Sequence, residues 1–159
     1  MKNIFWLREG KIAGRTGPDE NPWDLEEIKS AGFSAILSVN NGEGVHETLI
    51  SKVGLSYASI PMSPNAPVKE GDLDHCLKNL PRAVDFIKDN TKTGAVLVHC
   101  RSGKDRTGLV LSAYLMTSEN LSVEDAMSNV FKVRPIAFSA EGWVDFGKQV
   151  LSRYEHKNT

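Results

Sequence analysis

The stretch AVLVHCRSGKDRTGLVLSAYLM, residues 95–116, constrains the fold more than any other part of the chain. It opens on AVLVH, a run with no polar face before its closing histidine. A strand of that kind belongs at the centre of a sheet covered on both sides. From residue 107 the run TGLVLSAYLMTS is apolar nearly all round, the pattern of a helix buried on every side. A central strand that passes through one tight turn into a buried helix is half of a parallel crossover unit.

The remaining segments fit around that unit. Residues 4–7 and 11–14 read as short strands about a Glu9-Gly10 turn, and RTGPDENP after them as a loop. Residues 23–31 form a helix with an acidic first turn, closed by Gly32. AILSV at 35–39 is a buried strand, 45–53 a short helix ended by Gly54, and 56–60 another strand. SPNAPVKEG is a loop. Leu73, Leu77, Leu80, Val84 and Ile87 then keep helical spacing to about Asn90, with a kink or break expected at Pro81. Ser122 and Asp125 open a further helix that runs to about Val133. Trp143, Val144, Phe146, Val150, Leu151 and Tyr154 mark a last amphipathic helix. Strands alternate with helices, so the expected class is α/β: a central, mostly parallel sheet of four to five strands flanked by helices, in a single domain over residues 1–159.

A chain of 159 residues can bury a proper core. Its net charge of −1 provides no global basic field for nucleic acid, so any anion site has to be local. The apolar run before Arg8 is too short for a signal peptide or a membrane span, which points to a cytoplasmic monomer without integral membrane association. In such a compartment Cys76 and Cys100 are expected as free thiols.

In α/β folds, ligands bind beyond the carboxyl ends of the strands, where VHCRSGKDRTG falls. Gly103 and Gly108 let this turn curl tightly and let a ligand approach the main chain. A helix beginning near Arg106 adds unpaired N–H donors and the positive end of its dipole. Arg106, six residues after Cys100, returns over the loop with a donor fork suited to two phosphate oxygens. The field that holds an anion also stabilises a thiolate at Cys100. Thr107 can donate a hydrogen bond to that sulfur, and His99 can fix the loop. A thiolate at the base of a phosphate-sized cradle implies attack on phosphorus, a cysteinyl-phosphate intermediate and no cofactor or metal. A nucleotide-binding loop would need Gly and Ser or Thr where Val98 and Asp105 stand. The cysteines and histidines are too scattered for structural zinc. The plainest competing reading is a tight turn with a buried cysteine and solvated charges.

His99-Cys100-(RSGKD)-Arg106-Thr107-Gly108 resembles the H-C-x5-R-[ST]-G signature of cysteine-based protein tyrosine phosphatases. The order AILSV, a strand ending in IPM, a helix, AVLVHC and then VRPIAF is similar to the small dual-specificity branch. The resemblance implies Cys100 as nucleophile, Arg106 as phosphate clamp, and Arg101, Ser102, Gly103, Lys104 and Asp105 as the amide cradle. It implies Thr107 as the hydroxyl that aids breakdown of the intermediate. The general acid departs from the pattern. The early part of the loop after SYASIP offers only Ser63 and Asn65, neither of which can serve. Asp72, 28 residues before Cys100, is slightly preferred, with capping of the next helix as its alternative role. Asp105 is the rival, in the place where some lipid-directed relatives carry an aspartate; its alternative role is to shape the cradle.

The expected substrate is a phosphotyrosine protein, extending to phosphoserine and phosphothreonine. The cations Arg101 and Lys104 keep a phosphoinositide open, unless Lys104 faces solvent or pairs with Asp105. A phosphate-binding module without turnover and an arsenate reductase are the readings of other classes. Arg134, before Pro135, is a candidate brace for the site, and Cys76 is expected in the core.

Overall fold

The computed structural model describes residues 1–157. The five strands are β1 (Ile4–Arg8), β2 (Ile12–Arg15), β3 (Phe33–Ser38), β4 (Ser56–Ser59) and β5 (Ala95–His99). The helices are α1 (Leu25–Ser30), α2 (Glu47–Lys52), α3 (Asp72–Asn90), α4 (Asp105–Glu119), α5 (Val123–Val133) and α6 (Trp143–Lys157). One sheet runs in the order β1-β2-β5-β3-β4. Only the β1–β2 pair is antiparallel; β2–β5, β5–β3 and β3–β4 are parallel. The apolar strand β5 is central, and all five of its residues are buried.

Alternation along β5 divides the core. Val96 and Val98 face a large cluster with α3, α4, α5 and α6, whereas Ala95 and Leu97 face a smaller one with Ile28 of α1 and Ile50 of α2. An irregularity between Phe33 and Ala35 breaks the register of β3, so Phe33 and Ile36, three apart, join the same small cluster. Helix α4 is buried continuously from Thr107 to Met116, which accounts for its apolar composition on every side. Ser122 is the N-cap of α5 and accepts from the Asp125 N–H at 3.1 Å.

Pro81 does not break α3, which runs from Asp72 to Asn90. Cys76, Leu77, Leu80, Ala83, Val84 and Ile87 press a continuous apolar face into the core on both sides of it, so packing carries the helix past its one missing N–H.

Register then places the site. Arg15 of β2 and Ser38 of β3 lie on either side of His99, at the carboxyl ends of three adjacent parallel strands. Cys100 is the next residue.

Candidate active site

The backbone of residues 100–104 is tied from outside at every carbonyl. Cys100 O accepts from His99 Nδ1 at 2.9 Å and Arg101 O from the Gly17 N–H at 2.9 Å. Ser102 O and Gly103 O accept from Arg134, at 2.6 and 3.2 Å. Lys104 O accepts from the Gly108 and Phe138 N–H groups at 3.2 and 3.3 Å. The amides of Ser102, Gly103 and Lys104 meet no protein acceptor among the described residues. A planar trans peptide points its C=O and N–H in opposite directions, so carbonyls drawn outward turn the amides inward. The curl requires Gly103: its φ is +66°, and a Cβ there would stand 2.7 Å from Arg15 O. These donors meet the N-terminus of α4, which begins at Asp105, one residue earlier than the sequence suggests.

They face a pocket of about 110 Å³. Cys100, Arg101, Ser102, Lys104, Asp105 and Arg106 form one wall, and Ser63, Pro64 and Trp143 the other. Arg101 reaches Asp19 only at 4.0 Å, in an exposed pair. Lys104 and Arg106 have no carboxylate partner among the described residues, so Lys104 does not pair with Asp105. The pocket therefore keeps two cations without an ion-pair contact among the described residues.

Cys100 is 3% exposed, and Thr107 Oγ1 donates to its Sγ at 3.1 Å. Behind it the fully buried His99 lies in a hydrogen-bonded row. Its Nδ1–H donates to Cys100 O; its Nε2, 2.6 Å from Ser38 Oγ, is left to accept from that hydroxyl; and Ser38 Oγ meets the Tyr57 hydroxyl at 2.7 Å. Burial pushes the imidazole pKa down to about 4; the bond to Cys100 O opposes this, and the charges of Arg15 and Arg106 reinforce it. A neutral ring with both nitrogens engaged fixes the loop and has no proton to exchange near neutrality.

The two candidate acids occupy different places. Asp105 lines the pocket; one oxygen accepts from the Ala140 N–H at 3.2 Å, and the other has no protein partner among the described residues. Asp72 does not line the pocket. Nor does it cap α3, because the N-cap is Gly71, at φ +93°. Its buried carboxylate accepts from the Lys69 N–H at 2.6 Å and from Asn65 Nδ2 at 3.1 and 3.2 Å. Burial pushes the Asp72 pKa up, but these bonds and one from Ser63 outweigh it and hold the group below the usual carboxylate value. The sequence-based preference for Asp72 over Asp105 thus runs against their placement.

Several residues of the site give no signal in the sequence. Trp143 Nε1 donates to Asn65 O at 2.8 Å and so ties α6 to the loop that carries Ser63 and Pro64. Cys76, buried as expected, bonds with Ser63, and burial raises its pKa. Gly17 lies against the cradle so closely that a Cβ would stand 2.3 Å from Cys100 O. Arg15, 3% exposed, holds the Gly17 loop through Thr16 O, Asn21 O and Pro22 O at 2.7, 2.9 and 3.2 Å. In the sequence, RTGPDENP reads only as a loop, since its contact with the cradle is made in space.

Among the described residues, no helix is long and apolar enough to cross a membrane. Residues 20–151 match the family model described as dual specificity phosphatase, catalytic domain. The chain is 33% identical over 135 residues to dual specificity protein phosphatase 12 of Rattus norvegicus, covering 84% of this chain and 36% of that protein. It is 27% identical over 143 residues to the phosphatidylglycerophosphate phosphatase PTPMT1 of Arabidopsis thaliana, covering 86% and 39%. It thus spans little more than a third of the length of these relatives. Among solved structures, Tk-PTP in its active form has the same fold, with a TM-score of 0.78, 23% identity and 98% coverage of both chains. The family match takes in the cradle, both candidate acids and the facing wall of the pocket, and the chain belongs to the dual specificity phosphatase catalytic-domain family.

Proposed function

We propose that this chain is a phosphatase domain that hydrolyses phosphotyrosine, together with phosphoserine and phosphothreonine, through a cysteinyl-phosphate intermediate on Cys100. The observation that carries the reading is a buried thiol at the base of a pocket whose cradle amides have no protein acceptor among the described residues. The cradle amides and Arg106 hold the three non-bridging oxygens of the phosphoryl group. The Cys100 thiolate attacks phosphorus in line; the P–S bond forms as the P–O bond to the leaving group breaks. Asp105, the carboxyl on the pocket wall, gives its proton to the departing oxygen. As a carboxylate it then takes a proton from water, which attacks phosphorus and releases phosphate. The sulfur departs as a thiolate, stabilised by the Thr107 hydroxyl 3.1 Å away. Thiol, amides and arginine supply nucleophile and charge stabilisation, so the chemistry calls for no metal.

The test is phosphate release from para-nitrophenyl phosphate by the wild type and Cys100→Ser, with a chelator present. Turnover by the wild type and none by the variant is the expected result. Equal activity in both removes Cys100 from the mechanism. A wild type that binds tungstate without turnover is a phosphate reader.

The second reading, a lipid phosphate such as a phosphoinositide, rests on Lys104, a pocket-lining cation without a carboxylate partner among the described residues. A Lys104→Ala variant that loses phosphoinositide turnover but keeps phosphotyrosine turnover would favour it.

A further inference from the structure

Arg134 lies 28 residues beyond Arg106 in the chain, yet its guanidinium touches the cradle directly. Nη2 donates to Ser102 O at 2.6 Å and Nε to Gly103 O at 3.2 Å. Both carbonyls belong to peptide planes whose N–H groups, on Gly103 and Lys104, have no protein acceptor among the described residues. Arg134 lines a neighbouring groove with Thr16, Glu20, Asn21 and Ile136, which shares Ser102 and Lys104 with the catalytic pocket, and Arg134 itself is absent from the lining of that pocket. Because C=O and N–H of a trans peptide point in opposite directions, it pulls on these two planes from the side opposite to their N–H groups.

Its own position is fixed. The residue is the C-cap of α5, where its N–H bonds to Val130 O. Its guanidinium lies 5.2 Å over the Phe5 ring, and Phe5 covers Gly14 so closely that a Cβ there would stand 2.2 Å from the ring. No carboxylate neutralises it among the described residues. An undivided positive charge on two peptide oxygens does two things. It holds both planes in one orientation, and it polarises them so that their N–H groups become stronger donors to an anion. A lysine in its place would bring a single point charge on a flexible stem instead of a rigid planar fork.

We infer that Arg134 is the positioning residue of the phosphate cradle: through Ser102 O and Gly103 O it sets and strengthens the Gly103 and Lys104 amides as oxyanion donors. The inference rests on the phosphatase reading for its link to rate, but the amide geometry can be tested without turnover.

The experiment compares wild type, Arg134→Met and Arg134→Lys in three measurements: affinity for inorganic tungstate, kcat and KM for para-nitrophenyl phosphate, and the amide proton shifts of Gly103 and Lys104 on tungstate addition. Arg134→Met should bind tungstate about tenfold more weakly, and its kcat should fall about 10- to 100-fold, the scale set by small misplacement of a donor. The fall in kcat should exceed the rise in KM, because the donors hold the transition state more tightly than the ground state. The tungstate-induced shifts of Gly103 and Lys104 should shrink while that of Arg106 persists. Arg134→Lys should recover part of each effect, and it carries the test if the methionine variant does not fold. Tungstate affinity and Gly103 and Lys104 shifts within twofold of wild type in the variants overturn the inference. A wild type that binds tungstate without turnover defeats the phosphatase reading alone, and the affinities and shifts still judge Arg134. A wild type that binds no tungstate defeats both.

Discussion

The two walls of the pocket are built from similar materials and used in opposite ways. On the cradle wall the carbonyls of residues 100–104 are tied outward, and among the described residues the amides of 102–104, two cations and one oxygen of Asp105 remain without a protein partner. On and behind the facing wall the polar groups consume one another. The Asp72 carboxylate is taken up by Lys69, Asn65 and Ser63, and Asn65 O by Trp143. The first wall can offer donors and an uncommitted carboxylate oxygen to a ligand, and the second can offer only a shaped surface. A carboxylate at a suitable place in the sequence is a candidate acid only if its lone pairs are not already committed to the fold.

The comparison breaks most visibly at the two aspartates. Asp105→Asn should lower kcat about 10²- to 10³-fold for substrates with poor leaving groups and abolish the alkaline limb of the pH–rate profile. Rates for a series of aryl phosphates would measure this, and an unchanged leaving-group dependence would clear Asp105 of the role. Behind the cradle, His99 sharpens the contrast through pH. Its pKa of about 4 in the folded chain lies below the ordinary value of 6.5, so between those values the unfolded chain binds the extra proton. Stability then rises with pH through that window and is lost as pH falls from 6.5 to 4, by about 3 kcal/mol at the lower end. Urea unfolding at pH 7, 5.5 and 4 should show the loss in the wild type and a shallower slope in His99→Gln; parallel slopes would refute it.

Gly17→Ala puts a methyl against Cys100 O and His99 Nδ1, and backbone has to move because the nearest atom, Cys100 O at 2.3 Å, is itself backbone. It should cost about 1–3 kcal/mol of stability, as overpacking does, and lower kcat/KM with it. Calorimetry and steady-state rates check both. The smallest effect belongs to the layer behind the facing wall. Asp72→Asn should cost about 1 kcal/mol through a weakened acceptor and raise KM a few-fold. Its leaving-group dependence should match the wild type, and a steeper one would return Asp72 to the chemistry.

Much of this was legible in the chain. The apolar AVLVH run located the central strand, and the turn after it located the cradle, because strand, turn and buried helix are contiguous. The facing wall was not legible, because it is assembled from a loop and a helix some 80 residues apart, joined by the Trp143–Asn65 bond. Spacing alone drew attention to Asp72; only its three kinds of donor reveal what its charge does. Gly17 was hidden for the same reason, since it meets Cys100 O and Arg101 O just beyond the neighbouring parallel strand, and Arg15 holds only its own loop, whose importance shows once that loop lies against the cradle. Arg134 stood out beside Pro135 in the sequence, and the structure supplies the two carbonyls it holds.

The central claim is that this pocket presents a phosphoryl group to Cys100. Its most direct test is to denature the wild type rapidly during turnover of para-nitrophenyl phosphate and map any phosphoryl adduct by mass spectrometry. The account predicts one phosphoryl group on the peptide that contains Cys100, accumulating further in Asp105→Asn as hydrolysis of the intermediate slows. Turnover with no adduct in either protein, or an adduct on another residue, would contradict it.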